Sequence, residues 1–159
     1  MKSTNKILVG IVVGVVLLVV AAFVVTLRQP PPSYQDETTP DGVTHNYLLA
    51  LQRGDYERAY IYLSPTLPGY PHDLDEFIRD VEQNAWRFRL NDDVSLSISA
   101  TKVAGHTAMV TVRETRHYSG FLGGSESVDS FDMILYQNNG FWKISDAEYY
   151  WSRRWEEEN

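Results

Sequence analysis

The chain has 159 residues with 21 acidic against 14 basic side chains, a formal net charge of −7, and no cysteine. That length suits one domain of ordinary size beyond residue 40, and the lack of cysteine excludes a disulfide framework, a thiol nucleophile, a thiolate zinc site and a lipobox cysteine. All 21 carboxylates lie beyond Arg28, where they meet 11 basic residues for a net of −10, so nucleic-acid binding through phosphates is excluded.

In chain order, Ile7 to Leu27 (ILVGIVVGVVLLVVAAFVVTL) comes first: 21 residues without a charge, Thr26 being the only polar one. As a helix it covers roughly 31 Å, the thickness of a hydrocarbon core, which predicts a transmembrane helix over 7–27. Lys2 and Lys6 precede it, and Arg28 alone follows before Asp36, Glu37 and Asp41. The positive-inside bias then predicts a cytoplasmic segment 1–6, a single-pass anchor in the cell membrane and an extracytoplasmic C-terminal domain. Val20-Ala21-Ala22 offers a signal-peptidase site, but FVVTL continues the apolar run past it, which favours a retained signal anchor. Gly10 and Gly14 form a G-x-x-x-G pair, a close-approach face for a second helix, although glycine is common in membrane helices. Residues 28–40 are rich in proline and read as an extended, solvated linker.

From Asp41 on, the pattern is helical. Val43, Tyr47, Leu48 and Leu51 recur at three- and four-residue spacing, and Gly54 stops the run. Asp55 reads as the N-cap of a short second helix with Tyr56, Ala59, Tyr60 and Leu63 on one face, ended by Pro65. PTLPGYPH is a loop by composition. A third helix is predicted from about Asp73 to Asn84, with Leu74, Phe77, Ile78 and Val81 on one side. The period then changes to two. Val94, Leu96, Ile98 and Ala100 alternate with serines; Lys102 to His106 reads as a turn; Ala108, Val110 and Val112 define a second strand towards His117. SGFLGGSES reads as a connection before a third strand with Phe131, Met133 and Leu135 on one face. Asn138-Asn139-Gly140 is a hairpin signal leading into a fourth strand, Phe141 to about Tyr149. A short extra strand is expected over Trp86 to Leu90. The fold class is α+β: after the transmembrane helix, three helices pack on a curved, mainly antiparallel sheet of four to five strands.

Two segments carry a family likeness. THNYLLALQRGDYERAYIYLSP (Thr44 to Pro65) and NNGFWKISDAE (Asn138 to Glu148) resemble the opening helices and the final hairpin of the nuclear-transport-factor-two-like superfamily, in particular small exported bacterial members. The resemblance covers about Asp41 to Tyr150. It implies a cone-shaped α+β roll over 41–159. It also implies a family that spans isomerases, dehydratases and many non-enzymatic modules, whose enzymes set an acid/base pair deep in the cone. No such pair maps onto this chain residue by residue.

Candidate sites are weighed against plain structural roles. His45, His72, His106 and His117 lie too far apart in sequence for a metal motif, and no metal or cofactor is expected. Asp73, Asp75 and Glu76 suit a helix N-terminus. Tyr47, Tyr60, Phe77 and Trp86 are candidates for the wall of a small-ligand cavity or, equally simply, an aromatic core. Asp132 interrupts a strong strand, and if it points into the cone it becomes a candidate for a buried, shifted carboxylate. In the tail, Tyr150, Trp151, Arg154 and Trp155 are the residue types enriched at interface hot spots, or else they pack on their own domain. No P-loop, nucleophile elbow, H-E-x-x-H or G-x-G-x-x-G occurs. The expected function is a membrane-tethered, non-enzymatic interaction module with a second copy or an envelope protein as partner. The alternative is a small-ligand module using the cone, and after it an acid/base enzyme in that cavity.

Overall fold

The computed structural model describes residues 2–27, 31–89, 93–118 and 124–156, with side chains in the first helix described for residues 9–22. The chain divides into two compact units, Met1–Ser33 and Tyr34–Asn159.

The first unit holds helix α1, Lys2–Leu27. The transmembrane helix expected over 7–27 is corrected: among the described residues no helix is long and apolar enough to cross a membrane. Gly10 and Gly14 have open space around them, with no atom within 4 Å of where a Cβ would sit.

The second unit begins at Tyr34, inside the segment expected to be linker. The Tyr34 ring receives the Arg58 guanidinium at 3.7 Å, and its hydroxyl donates to Asp55. Asn46 clasps the backbone of Gln35 through both ends of its amide. Residues 34–39 are thereby tied to the domain, while residues 28–30 lie outside the described part.

Helix α2 (Pro40–Arg53) starts at Thr39, whose side chain accepts from the Gly42 amide, and ends at Gly54 in the left-handed conformation with φ 68°. Helix α3 (Tyr56–Ile61) is capped by Asp55, and α4 (Leu74–Gln83) by Asp73. These are the local signals the sequence carries: short side-chain acceptors satisfy the free amides of a first turn, and glycine reverses the chain without steric cost. Leu63 lies beyond α3 in a parallel bridge to Ile144.

The expected strand at Trp86 is instead a short helix, α5 (Ala85–Phe88), ended by Arg89 with φ 46°. Leu90 lies outside the described residues. The sheet among the described residues is four-stranded, a pure antiparallel meander in the order β1 (Val94–Ala104), β2 (Thr107–Tyr118), β3 (Ser125–Asn138), β4 (Phe141–Ala147). The predicted turn at Lys102–His106 shrinks to Gly105–His106, because β1 runs on to Ala104 after a register shift between Ile98 and Ala100. Asn139 and Gly140 both take positive φ, as a tight two-residue hairpin requires. Of the SGFLGGSES connection, residues 119–123 lie outside the described part and Ser125 onward belongs to β3.

One face of the sheet is inner and one outer. Ala108, Val110, Val112 and Glu114 of β2 alternate with Phe131, Met133 and Leu135 of β3 on the inner face, all buried. The helices and the C-terminal segment cover that face. Among the described residues the other face is largely exposed, with Met109, Tyr136 and Phe141 at its surface.

Candidate functional site

The inner face of the sheet is the natural place for a site, since α2, α4, α5 and the sheet converge there. It is occupied by the chain itself. After β4, residues 148–156 turn back into the cone, with Tyr150, Trp151 and Trp155 at most 1% exposed. Tyr150 sits at φ 60°, a costly conformation for a bulky residue, which the surrounding packing holds in place. The Tyr47 hydroxyl donates to the Tyr150 carbonyl at 2.6 Å.

Two buried carboxylates organise this interior. Glu114, fully buried, accepts from Arg89 at 3.0 Å and from the Nε of Arg116 on one oxygen, and from the Tyr150 hydroxyl at 3.0 Å on the other. Asp80, also fully buried, accepts from Arg154 Nη1 on Oδ1 and from the indole N–H of Trp155 on Oδ2, both at 2.8 Å. Buried charge persists only when it is paired and hydrogen-bonded, and both groups meet that condition. Each oxygen of each carboxylate is engaged, and each carboxylate holds a residue of the tail, Glu114 through Tyr150 and Asp80 through Arg154 and Trp155. Among the described residues, Thr44 Oγ1 and Trp151 Nε1 are buried without a hydrogen-bond partner.

Burial, and then the charge of Glu114, push the Tyr150 phenol well above its usual range; burial does the same for Tyr47. A raised folded-state pKa for a phenol means that the neutral form is favoured in the native state. Its stabilising contribution is therefore complete below the unfolded value near 10 and is lost as pH rises above it. Urea unfolding is expected to show level stability from pH 8 to about pH 10 and a decline above that; a flat profile to pH 12 contradicts the buried phenols.

The sequence-predicted residues are partly brought together. Tyr47 and Phe77 are fully buried, and Tyr60 is half-buried with its hydroxyl on the Pro71 carbonyl at 2.7 Å. Phe77 lies 5.6 Å from Tyr60 and stacks on Trp155 at 5.5 Å and 12°. Trp86 does not join them: it is 63% exposed, with the Arg153 and Arg87 guanidinium groups 5.4 and 5.8 Å from its ring. Asp132 does not enter the cone. Its neighbours Phe131 and Met133 point inward, so period-two geometry turns it outward, where it accepts from the Thr111 hydroxyl at 2.7 Å. Of the tail residues, Tyr150, Trp151 and Trp155 are core, and Arg154 is half-exposed while paired with Glu76 and Asp80. Glu114 and Asp80 were missed by sequence reasoning. The signal for each is periodic: Glu114 continues the inward series 108, 110, 112, and Asp80 shares the helical stripe of Phe77 and Val81.

Two concavities among the described residues lie outside the cone. An open cleft of about 570 Å³ is bordered by Asp132, Asp146, Glu148 and Arg87, and another of about 400 Å³ by Pro65, Tyr136, Phe141 and Lys143. Burial holds the Lys143 ammonium below its usual range.

No family model and no curated protein matches the chain. Solved structures do. A SEC-C motif containing protein from Rhodopseudomonas palustris aligns at 14% identity over 72% of this chain and 81% of its own, with a TM-score of 0.50. A putative ketosteroid isomerase from Shewanella frigidimarina aligns at 19% identity over 69% of this chain and 93% of its own, also with a TM-score of 0.50. A nuclear-transport-factor-two-like protein of unknown function from Shewanella oneidensis aligns at 15% identity over 64% and 88%, with a TM-score of 0.42. At such identities the likeness concerns architecture and not activity. Helices closing one face of a curled antiparallel meander give the C-terminal unit the α+β arrangement expected from the sequence, a fold it shares with the Rhodopseudomonas palustris and Shewanella frigidimarina proteins.

Proposed function

We propose that the unit Tyr34–Asn159 is a non-enzymatic interaction module that associates with a second copy of itself through the outer face of its sheet. The carrying observation is the pattern on that face. Lys102 of β1 stands opposite Met109 of β2, Met109 opposite Ile134 of β3, and Ile134 opposite Asp146 of β4. The row therefore reads cation, apolar, apolar, anion. Arg113 and Asp132 repeat the asymmetry on the two central strands, and Tyr136 and Phe141 add exposed aromatic surface at 54% and 67%.

A two-fold axis lying in the interface between β2 and β3 sets this row on its own reverse. Met109 then meets the second copy's Ile134, and Lys102 meets its Asp146, the self-complementarity an isologous contact needs. Four strands about 4.8 Å apart, about 24 to 48 Å long, offer about 700 Å² per copy, close to the size of a standard stable interface. The filled cone supports a binding role over a reaction, since its carboxylates are spent on internal partners.

Sedimentation equilibrium tests this reading. The unaltered chain is expected to dimerise, and Lys102→Glu with Arg113→Glu to weaken the dimer by about 10- to 100-fold, through like charges placed face to face. Adding Asp132→Lys and Asp146→Lys in the same chain should restore it. A monomer up to about 100 μM, or a dimer indifferent to these reversals, sinks the proposal.

A further inference from the structure

We propose that the cage formed by Asp80, Phe77, Phe88 and Trp151 is a recognition site for an indole-bearing peptide segment, filled in the single chain by Trp155 and open to the same segment of a second copy when its own is withdrawn. The indole of Trp155 is held as a ligand is held. It stacks on Phe77 at 5.5 Å, meets Phe88 edge-on at 5.9 Å and Trp151 edge-on at 5.0 Å. Its one polar atom, the ring N–H, is taken by a carboxylate that is itself fully buried. Apolar packing alone accepts any ring of the right size; the Asp80 acceptor selects one that donates.

The recognition extends along the segment. The second oxygen of Asp80 binds Arg154, Glu76 binds the same guanidinium, and the Asn84 amide donates to the Ser152 hydroxyl at 3.1 Å. Thus Ser152, Arg154 and Trp155 are each read by a side chain, and Glu76, Phe77, Asp80 and Asn84 come from one helix, α4, and its C-cap. The segment read belongs to no strand, and a three-residue 3-10 turn, Arg153–Trp155, is its regular part. It is a docked peptide that remains covalently attached, and each copy carries both the cage and the segment that fits it.

Two full-length variants test this. Trp155→Gly empties the cage and is expected to lower the melting temperature by about 10 °C or more. Millimolar indole should recover about half of that loss, and benzothiophene, of the same shape but without the N–H donor, clearly less. No recovery by indole, or equal recovery by both compounds, overturns the recognition of a donor ring. Gly69→Ala acts from outside the cage: a Cβ there falls 1.6 Å from the Arg154 carbonyl oxygen, so the backbone at Arg154 and the loop at Gly69 must part, while the walls given by Asp80, Phe77 and Phe88 carry no substitution. In a chain that also carries Lys102→Glu and Arg113→Glu, so that the sheet contact is weakened, this variant is expected to bind the peptide Ser-Arg-Arg-Trp-Glu and to form a dimer at raised concentration that is lost when Trp155→Gly is added. Failure to bind the peptide, or a strictly monomeric Gly69→Ala, overturns the exchange. Because Gly69 and Trp155 lie off the outer sheet face, a dimer lost to Lys102→Glu but indifferent to Trp155→Gly belongs to the sheet reading instead.

Discussion

Replacing Glu114 with alanine is expected to destabilise the domain by about 3 kcal/mol, measured by urea unfolding at neutral pH. The cost is not that of one lost contact. Glu114 is the shared acceptor of Arg89, Arg116 and the Tyr150 hydroxyl, and its side chain is fully buried. Its removal leaves two guanidinium groups facing each other without a counter-charge and a buried phenol without an acceptor. Breaking a buried pair from one side typically costs about 3–5 kcal/mol, and the lower end applies because the Arg89 and Arg116 side chains keep 19% and 29% of their surface in solvent. Glu114→Gln keeps the shape and removes the charge, so it should cost less. The comparison that decides is Glu114→Leu together with Arg89→Met and Arg116→Leu. If the cluster serves tail placement through charge, that triple variant stays folded but loosens residues 148–156; if it serves only to neutralise itself, the triple variant is as stable as the parent. A Glu114→Ala variant within about 0.5 kcal/mol of the parent would remove the carboxylate from the role given to it here.

Local chemistry was legible in the chain, and long-range chemistry was not. Asp55, Asp73, Gly54 and the Asn139-Gly140 hairpin act within a few residues of themselves, and each ends or starts an element where the sequence puts it. Trp86 to Leu90 shows the limit. Alternating aromatic and basic residues suit a strand, yet the Arg87 and Phe88 amides bond back to the Asn84 carbonyl, and the Arg87 carbonyl accepts from Tyr150, which lies far along the chain. Packing decides that segment, and propensity does not. Asp132 was decidable by parity, since Phe131, Met133 and Leu135 claim the inward positions. The tail was undecidable from composition, because tryptophan, tyrosine and arginine suit a hot spot and a core alike; the deciding partner of Trp155 is Asp80, 75 residues away. The first helix was read as a span from its uncharged length and the charges that flank it, and among the described residues no helix is long and apolar enough to cross a membrane.

Phe77→Ala separates a cavity wall from a core filler, and it is expected to cost about 3–5 kcal/mol. Phe77 was a candidate for lining an open ligand pocket. A wall residue faces space already empty, so its truncation widens the pocket and forfeits few contacts. Phe77 instead meets Tyr56 at 6.4 Å, Tyr60 at 5.6 Å and Trp155 at 5.5 Å, and it is fully buried. Truncation leaves a void bounded by helix α4 on one side and the inserted tail on the other, and neither can collapse freely. Asp80 anchors the tail one turn further along the helix, so the indole of Trp155 cannot slide into the gap without breaking its bond to that carboxylate. The loss should therefore sit at the high end for a core aromatic, and Phe77→Leu, which refills most of the volume, should recover more than half of it. Chemical unfolding of both variants provides the check. A Phe77→Ala cost below about 1 kcal/mol, together with unchanged tryptophan fluorescence, would mean that the space beside Phe77 was open before the substitution and would return the cone to the ligand-binding reading.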